Sequence, residues 1–158
     1  MSFADEILVM KDGQVVQRGT PEELFERPTN TYVGTFIGSP GMNFLPLARS
    51  GEVLTLAGKS PALLPRELPE GDITLGVRPE HLSFADEGDE DSFPASIMSI
   101  EDHGSVRILD LALGDARARM KLARERTVPP PSSKIAVRFN RYCYYANGQL
   151  IAAEHVVA

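Results

Sequence analysis

From Met42 onward the apolar runs are short, and Gly, Pro and Asp break them at fairly regular intervals. That rhythm is the mark of an all-β barrel or sandwich, because strands need only a few residues each and the punctuating residues make the turns. Strands are predicted over 43–48, 52–56, 73–78, 93–100, 106–113, 116–122, 135–139 and 149–156. The fifth and sixth form the clearest pair. With Gly114-Asp115 as a two-residue turn, Leu113 faces Ala116, Leu111 faces Ala118 and Leu109 faces Met120, while Asp110 faces Arg119 on the other side. One side of this ribbon is apolar and the other charged. No internal repeat is visible.

The first forty residues follow a different pattern. Ile7 to Met10 and Val15-Val16 read as two short strands around Lys11-Asp12-Gly13-Gln14, an Asp-Gly hairpin turn. Thr20-Pro21-Glu22-Glu23 combines an N-cap, a Pro at the first helical position and a Glu able to close a capping box, so a short helix is expected through about Arg27, ending before Pro28. Asn30 is placed to cap a second helix, in which Tyr32, Val33, Phe36 and Ile37 fall at helical spacing before Gly38 and Pro40. Ile7, Val9, Leu24, Phe25, Tyr32, Val33 and Phe36 are expected to pack against chain beyond this segment. It reads as the end of a larger domain.

With 158 residues and 42% hydrophobic content, the chain has room for one ordinary domain and an appendage. No apolar run approaches the roughly 20 residues of a membrane-spanning helix, and the opening residues do not resemble a secretory leader, so a cytoplasmic location is expected. The single cysteine, Cys143, excludes an intramolecular disulfide and a cysteine-cluster metal site. The formal charge of −6 is largely the loop holding Asp86, Glu87, Asp89, Glu90 and Asp91, which reads as solvated. The remaining surface is nearly neutral, which gives no general attraction for a nucleic-acid backbone.

Motifs of catalysis are not found. Gly58-Lys59-Ser60 imitates the end of a phosphate-binding loop, but Val53 stands where the first glycine should be, and a hairpin turn is the better reading. His81, His103 and His155 lack metal-ligand spacing, and Ser39, Ser60 and Ser96 lie in no nucleophile elbow. The acidic loop lacks the ligand alternation of a calcium site. Arg117, Arg119 and Lys121 alternate with apolar residues and so point to one side of a strand, a candidate face for an anion or an acidic partner. Arg138, Arg141, Tyr142, Tyr144 and Tyr145 form a second basic and aromatic cluster, of the composition that stacks single-stranded bases or simply packs.

Four segments occur in fixed order: Ala4-Asp5 through Val9-Met10, Lys11-Asp12-Gly13 through Gly19-Thr20-Pro21, Phe36-Ile37-Gly38-Ser39-Pro40 with Met42-Asn43-Phe44-Leu45, and Gly76-Val77-Arg78-Pro79-Glu80-His81-Leu82. Together they resemble the ATP-binding subunits of carbohydrate ABC importers of the maltose and glycerol-3-phosphate type. The resemblance implies that residues 1–38 are the C-terminal tail of a nucleotide-binding domain and that 39–158 are a transport-associated, OB-like regulatory domain, giving a mainly β fold with a short N-terminal hairpin and two short helices. It assigns Gly76, Arg78, Pro79, Glu80 and His81 to a structural signature, with Arg78 expected to pair with a carboxylate such as Glu80. The catalytic and cofactor-binding residues of such subunits all precede the hairpin, so no catalytic, cofactor or metal residue is expected here, and ATP and magnesium belong to the parent subunit. The expected role is noncatalytic: regulation and dimerisation, with a second copy of the subunit, the permease subunits and a regulatory protein or metabolite as partners, at the cytoplasmic face of the inner membrane. Two alternatives are a small-ligand or oxyanion sensor using Arg117, Arg119 and Lys121, and a nucleic-acid-binding OB fold.

Overall fold

The computed structural model describes residues 5–156. Strands β1 (Ile7–Lys11) and β2 (Gln14–Gly19) form a hairpin, with Asp12 and Gly13 at φ 51° and 77° in its turn. Two positive φ values are what a type I′ turn demands. Helix α1 (Pro21–Glu26) begins in the predicted capping box: the Thr20 side chain accepts from the Glu23 amide and Glu23 accepts from the Thr20 amide. Helix α2 (Thr31–Phe36) is capped by the Asn30 side chain, which accepts from the Val33 amide.

The remaining strands are β3 (Asn43–Pro46), β4 (Ala48–Ser50), β5 (Val53–Thr55), β6 (Ile73–Val77), β7 (Leu82–Ala85), β8 (Ser92–Asp102), β9 (Val106–Leu113), β10 (Ala116–Ala123), β11 (Lys134–Phe139), β12 (Arg141–Ala146) and β13 (Gln149–Val156). They build a five-stranded sheet in the order β10-β9-β8-β11-β7, a four-stranded sheet in the order β13-β12-β6-β3, and the small β4-β5 ribbon. All pairings are antiparallel. The β9–β10 register is the one read from the sequence, with Leu113 opposite Ala116 and Asp110 opposite Arg119. Strands β7 and β12 lie outside the strands expected from the sequence, and β4 meets them only at Ala48.

The two large sheets face each other across one core. Leu45, Leu75, Val77, Tyr142 and Tyr144 from the four-stranded sheet meet Ile97, Leu109, Leu111, Met120, Val137 and Phe139 from the five-stranded one. Each fully buried aliphatic side chain contributes about 1.5–3 kcal/mol by leaving water. A separate small core holds Val9, Leu24, Val33 and Ile37 between the hairpin and the helices. Met42, Cys143 and Tyr145, with Phe44 and Leu150, form a third cluster on the outer side of the four-stranded sheet. No helix among the described residues is long and apolar enough to cross a membrane.

Candidate functional site

The Gly76–Leu82 segment lies where the barrel meets the hairpin and helices. A Cβ on Gly76 would come within 2.7 Å of Tyr145 and 2.8 Å of the Met42 sulfur, so glycine is what lets β6 pass beneath them. Two residues on, Arg78 is 1% exposed. The expected carboxylate pairing is not what the structure shows. Arg78 instead donates to backbone carbonyls: Nε and Nη2 to Phe25 at 3.1 and 2.9 Å, Nη1 to Gly34 at 3.1 Å and to Ile37. A planar fork of five donors suits several carbonyls at once, whereas a neighbouring exposed Glu80 supplies only a distant charge. Burial draws the Arg78 guanidinium below its ordinary pKa, with the Glu80 charge opposing. Pro79 opens a short 3₁₀ turn, and half-buried His81 meets the Phe25 ring edge-on at 6.5 Å. Burial lowers the His81 pKa, with Glu26 pulling upward and Arg141 downward.

Around this node the N-terminal elements are stitched to the barrel. Arg141 pairs with Glu26, and the Tyr145 hydroxyl donates to the Pro28 carbonyl at 2.7 Å. Backbone amides of Thr31 and Leu150 donate to Gly148 and Thr29 at 3.0 and 2.9 Å. Val9, Leu24 and Val33, expected from the sequence to await outside cover, are already buried in the small core. The exposed large apolar side chains of this region are Leu8, Met10, Val15 and Phe36. Phe36, 67% exposed, stacks on Tyr32 with ring centroids 6.1 Å apart.

Arg117, Arg119 and Lys121 do share one side of β10, but acids are interleaved with them. Arg119 lies 3.2 Å from both Glu101 and Asp110, and Ser99 also donates to Asp110 at 2.8 Å. Lys121 donates to the Ser39 carbonyl at 3.3 Å and lies 4.0 Å from Glu80, while Arg117 stands exposed. An anion arriving here meets a largely neutralised face, whose exposed pairs contribute about 0.2–1 kcal/mol each to stability.

Two further sequence features take structural parts. The acidic loop is exposed at Asp86, Glu87 and Glu90, as its solvated reading expects, and is also tied to the barrel: Arg138 reaches Asp89 at 3.0 Å and lies 2.8 Å from Asp91, the latter an ion pair without hydrogen-bond geometry. Lys59 donates to the Asp89 carbonyl at 3.1 Å, and Gly58-Lys59-Ser60 continues a tight turn in which Leu56 and Lys59 exchange both backbone hydrogen bonds. The tyrosine rings are buried and offer no face to a base. The hydroxyls of Tyr142 and Tyr144 hold the 61–69 segment instead, Tyr142 accepting from the Leu63 amide at 2.8 Å and Tyr144 donating to its carbonyl at 2.6 Å. Among the described residues no group of three or more His, Cys, Asp or Glu is arranged to hold a metal ion.

Comparison with known families and proteins gives a consistent picture. Residues 38–82 match the MalK OB fold domain and residues 75–142 the TOBE domain. The chain is 37% identical over 153 residues to an uncharacterized ABC transporter ATP-binding protein of Sinorhizobium fredii, covering 90% of this chain and 39% of that protein. It is 48% identical over 83 residues to the sn-glycerol-3-phosphate import ATP-binding protein UgpC of Chromohalobacter salexigens, covering 52% of this chain and 22% of that one. It is 33% identical over 144 residues to the sulfoquinovosyl glycerol transport ATP-binding protein SmoE of Agrobacterium fabrum, covering 87% and 40%. The chain thus spans well under half the length of these relatives.

Proposed function

The chain belongs to the OB-fold and TOBE regulatory region of sugar-type ABC transporter ATP-binding subunits, and we propose that it couples the arrangement of paired barrels to closure of two ATPase cores. In this reading residues 1–38 are the tail of the nucleotide-binding domain and 39–158 the regulatory domain. ATP and magnesium are bound by the rest of the subunit. The partners are a second copy, the permease subunits through the ATPase core, and a regulatory protein or metabolite, all at the cytoplasmic face of the inner membrane.

The observation that carries this reading is that the hairpin–helix unit is bonded to the barrel while it keeps exposed apolar side chains of its own. Leu8, Met10, Val15 and Phe36 of the hairpin and α2 are exposed apolar side chains left outside the small core. Such surface is suited to an ATPase core, since burial stabilises by about 25 cal/mol per Å². In this reading the barrel, on the other side of the joint, meets its counterpart in the second copy. A partner that prefers one barrel arrangement would then bias the cores, by no more than its differential affinity for the two states.

Sedimentation across a concentration series tests the dimerising part, comparing the chain with a Leu8→Glu, Met10→Glu double variant. Self-association of both supports a contact through the barrel. A native chain that stays monomeric at high micromolar concentration contradicts it.

A further inference from the structure

Neither short helix carries a basic residue in its last turn. The carbonyls at a helix's C-terminal end still need donors and carry the negative end of its dipole. One cation from a distant strand serves both helices. Arg78 lies just past β6, and its guanidinium reaches back across the joint to the carbonyls of Phe25 in α1, Gly34 in α2 and Ile37 after α2. The Phe25 ring covers the same guanidinium, 4.3 Å from ring centroid to Cζ.

The surroundings fit this one side chain. A Cβ on Gly38 would come within 2.9 Å of Arg78 Nη1, and Gly38 has φ +106°, so glycine is required there both by the backbone and by the room the guanidinium occupies. Glu26, an acid at the end of α1 where the dipole disfavours it, is answered by Arg141 from β12. The two charged contacts of the joint thus run from the barrel to helix ends.

We propose that Arg78 is the positioning residue that fixes the orientation of the barrel on the hairpin–helix unit, so that the two move as one body. This deepens the coupling reading, which needs a stiff joint, but it can be tested without any ATP hydrolysis. A stiff joint in a chain without effect on ATPase cores would leave this inference standing and defeat the coupling reading alone.

The experiment measures the distance between spin labels at Gln14 in the hairpin and Asp115 in the β9–β10 turn, both exposed. Labels are attached to non-canonical keto side chains so that buried Cys143 is left alone. Diluted in excess unlabelled chain, so that only distances within one copy are read, the full chain should give a single narrow distance. Arg78→Lys keeps the charge but replaces the fork with a single nitrogen, and Gly38→Ala intrudes on the guanidinium from the other side. Both should lose the narrow peak. Leu75→Ala, which weakens the barrel core, should lower the melting temperature and keep that peak. If Arg78→Lys does not fold, Gly38→Ala decides. A narrow peak retained by every folded joint variant would overturn the proposal, as would a broad distribution in the native chain.

Discussion

The side chain of Asn43 faces the backbone of Arg119 and makes both hydrogen bonds that a neighbouring strand would make, Nδ2 donating to the carbonyl and Oδ1 accepting from the amide, each at 2.8 Å. It thereby closes the seam between β3 and the outer edge of β10, an edge that would otherwise be open to pairing with another chain. Asn43→Leu leaves both Arg119 groups without these partners and should destabilise the barrel by about 1–3 kcal/mol. Asn43→Asp keeps the acceptor but sets a carboxylate oxygen against the Arg119 carbonyl, and should also destabilise. Urea unfolding at unchanged slope measures both. A shift below about 0.5 kcal/mol in each would show that the seam does not depend on this side chain.

Gly76 offers a test of packing rather than of hydrogen bonding. An added methyl group meets Tyr145 at 2.7 Å, the Met42 sulfur at 2.8 Å and Phe44 at 3.2 Å, all where the barrel meets the hairpin and helices. Overpacking of this kind costs about 1–3 kcal/mol. Gly76→Ala should lower the melting temperature accordingly, and an unchanged melting temperature would mean that the cluster yields without cost.

Local chemistry explains which parts of this fold can be read from the sequence. The capping box at Thr20, the Asp-Gly turn and the β9–β10 register rest on neighbours a few residues apart. Strand β12 escapes because alternation fails: Tyr142 and Tyr144 enter the main core while Cys143 and Tyr145 face the cluster under the tail, so both sides of the strand are buried. Asn147-Gly148, at φ 51° and 80°, carried a hairpin signal that would have revealed the strand before it. The role of Arg78 is illegible for another reason. Its carbonyl partners lie 41 to 53 residues away, and a backbone acceptor leaves no trace in residue type.

Stability should fall on both sides of a window set by buried groups. The folded His81 pKa lies below its ordinary 6.5, because burial opposes the charged form. As pH drops below that value the unfolded chain takes up a proton that folded His81 resists, so stability declines until the folded imidazole also protonates. Burial raises Tyr144 and Tyr145 above the ordinary 10.0, so their contribution is complete below that pH and is lost progressively as pH rises from it toward the higher folded values. Unfolding free energies of the chain and of His81→Gln, compared from pH 5 to 7, isolate the acid limb. Parallel curves would show that His81 does not contribute to it.

Nucleotide should not bind saturably to this chain. Lys59 sits in a tight turn, bonded through its backbone to Leu56, and spends its ammonium on the Asp89 carbonyl. Calorimetric titration with ATP and magnesium should show no saturable heat. Binding that disappears in Lys59→Ala would contradict this.

Coupling itself is tested most directly by ATP hydrolysis in a nucleotide-binding domain of the glycerol-3-phosphate type that carries this chain at its C-terminal end. A bivalent antibody against the exposed β9–β10 turn holds barrels in pairs, and its monovalent fragment serves as the control. If barrel arrangement biases closure of the cores, the bivalent form should change the hydrolysis rate by about fivefold or more and the fragment should not. An equal rate with the bivalent antibody, the fragment and neither would contradict a coupling role for this module.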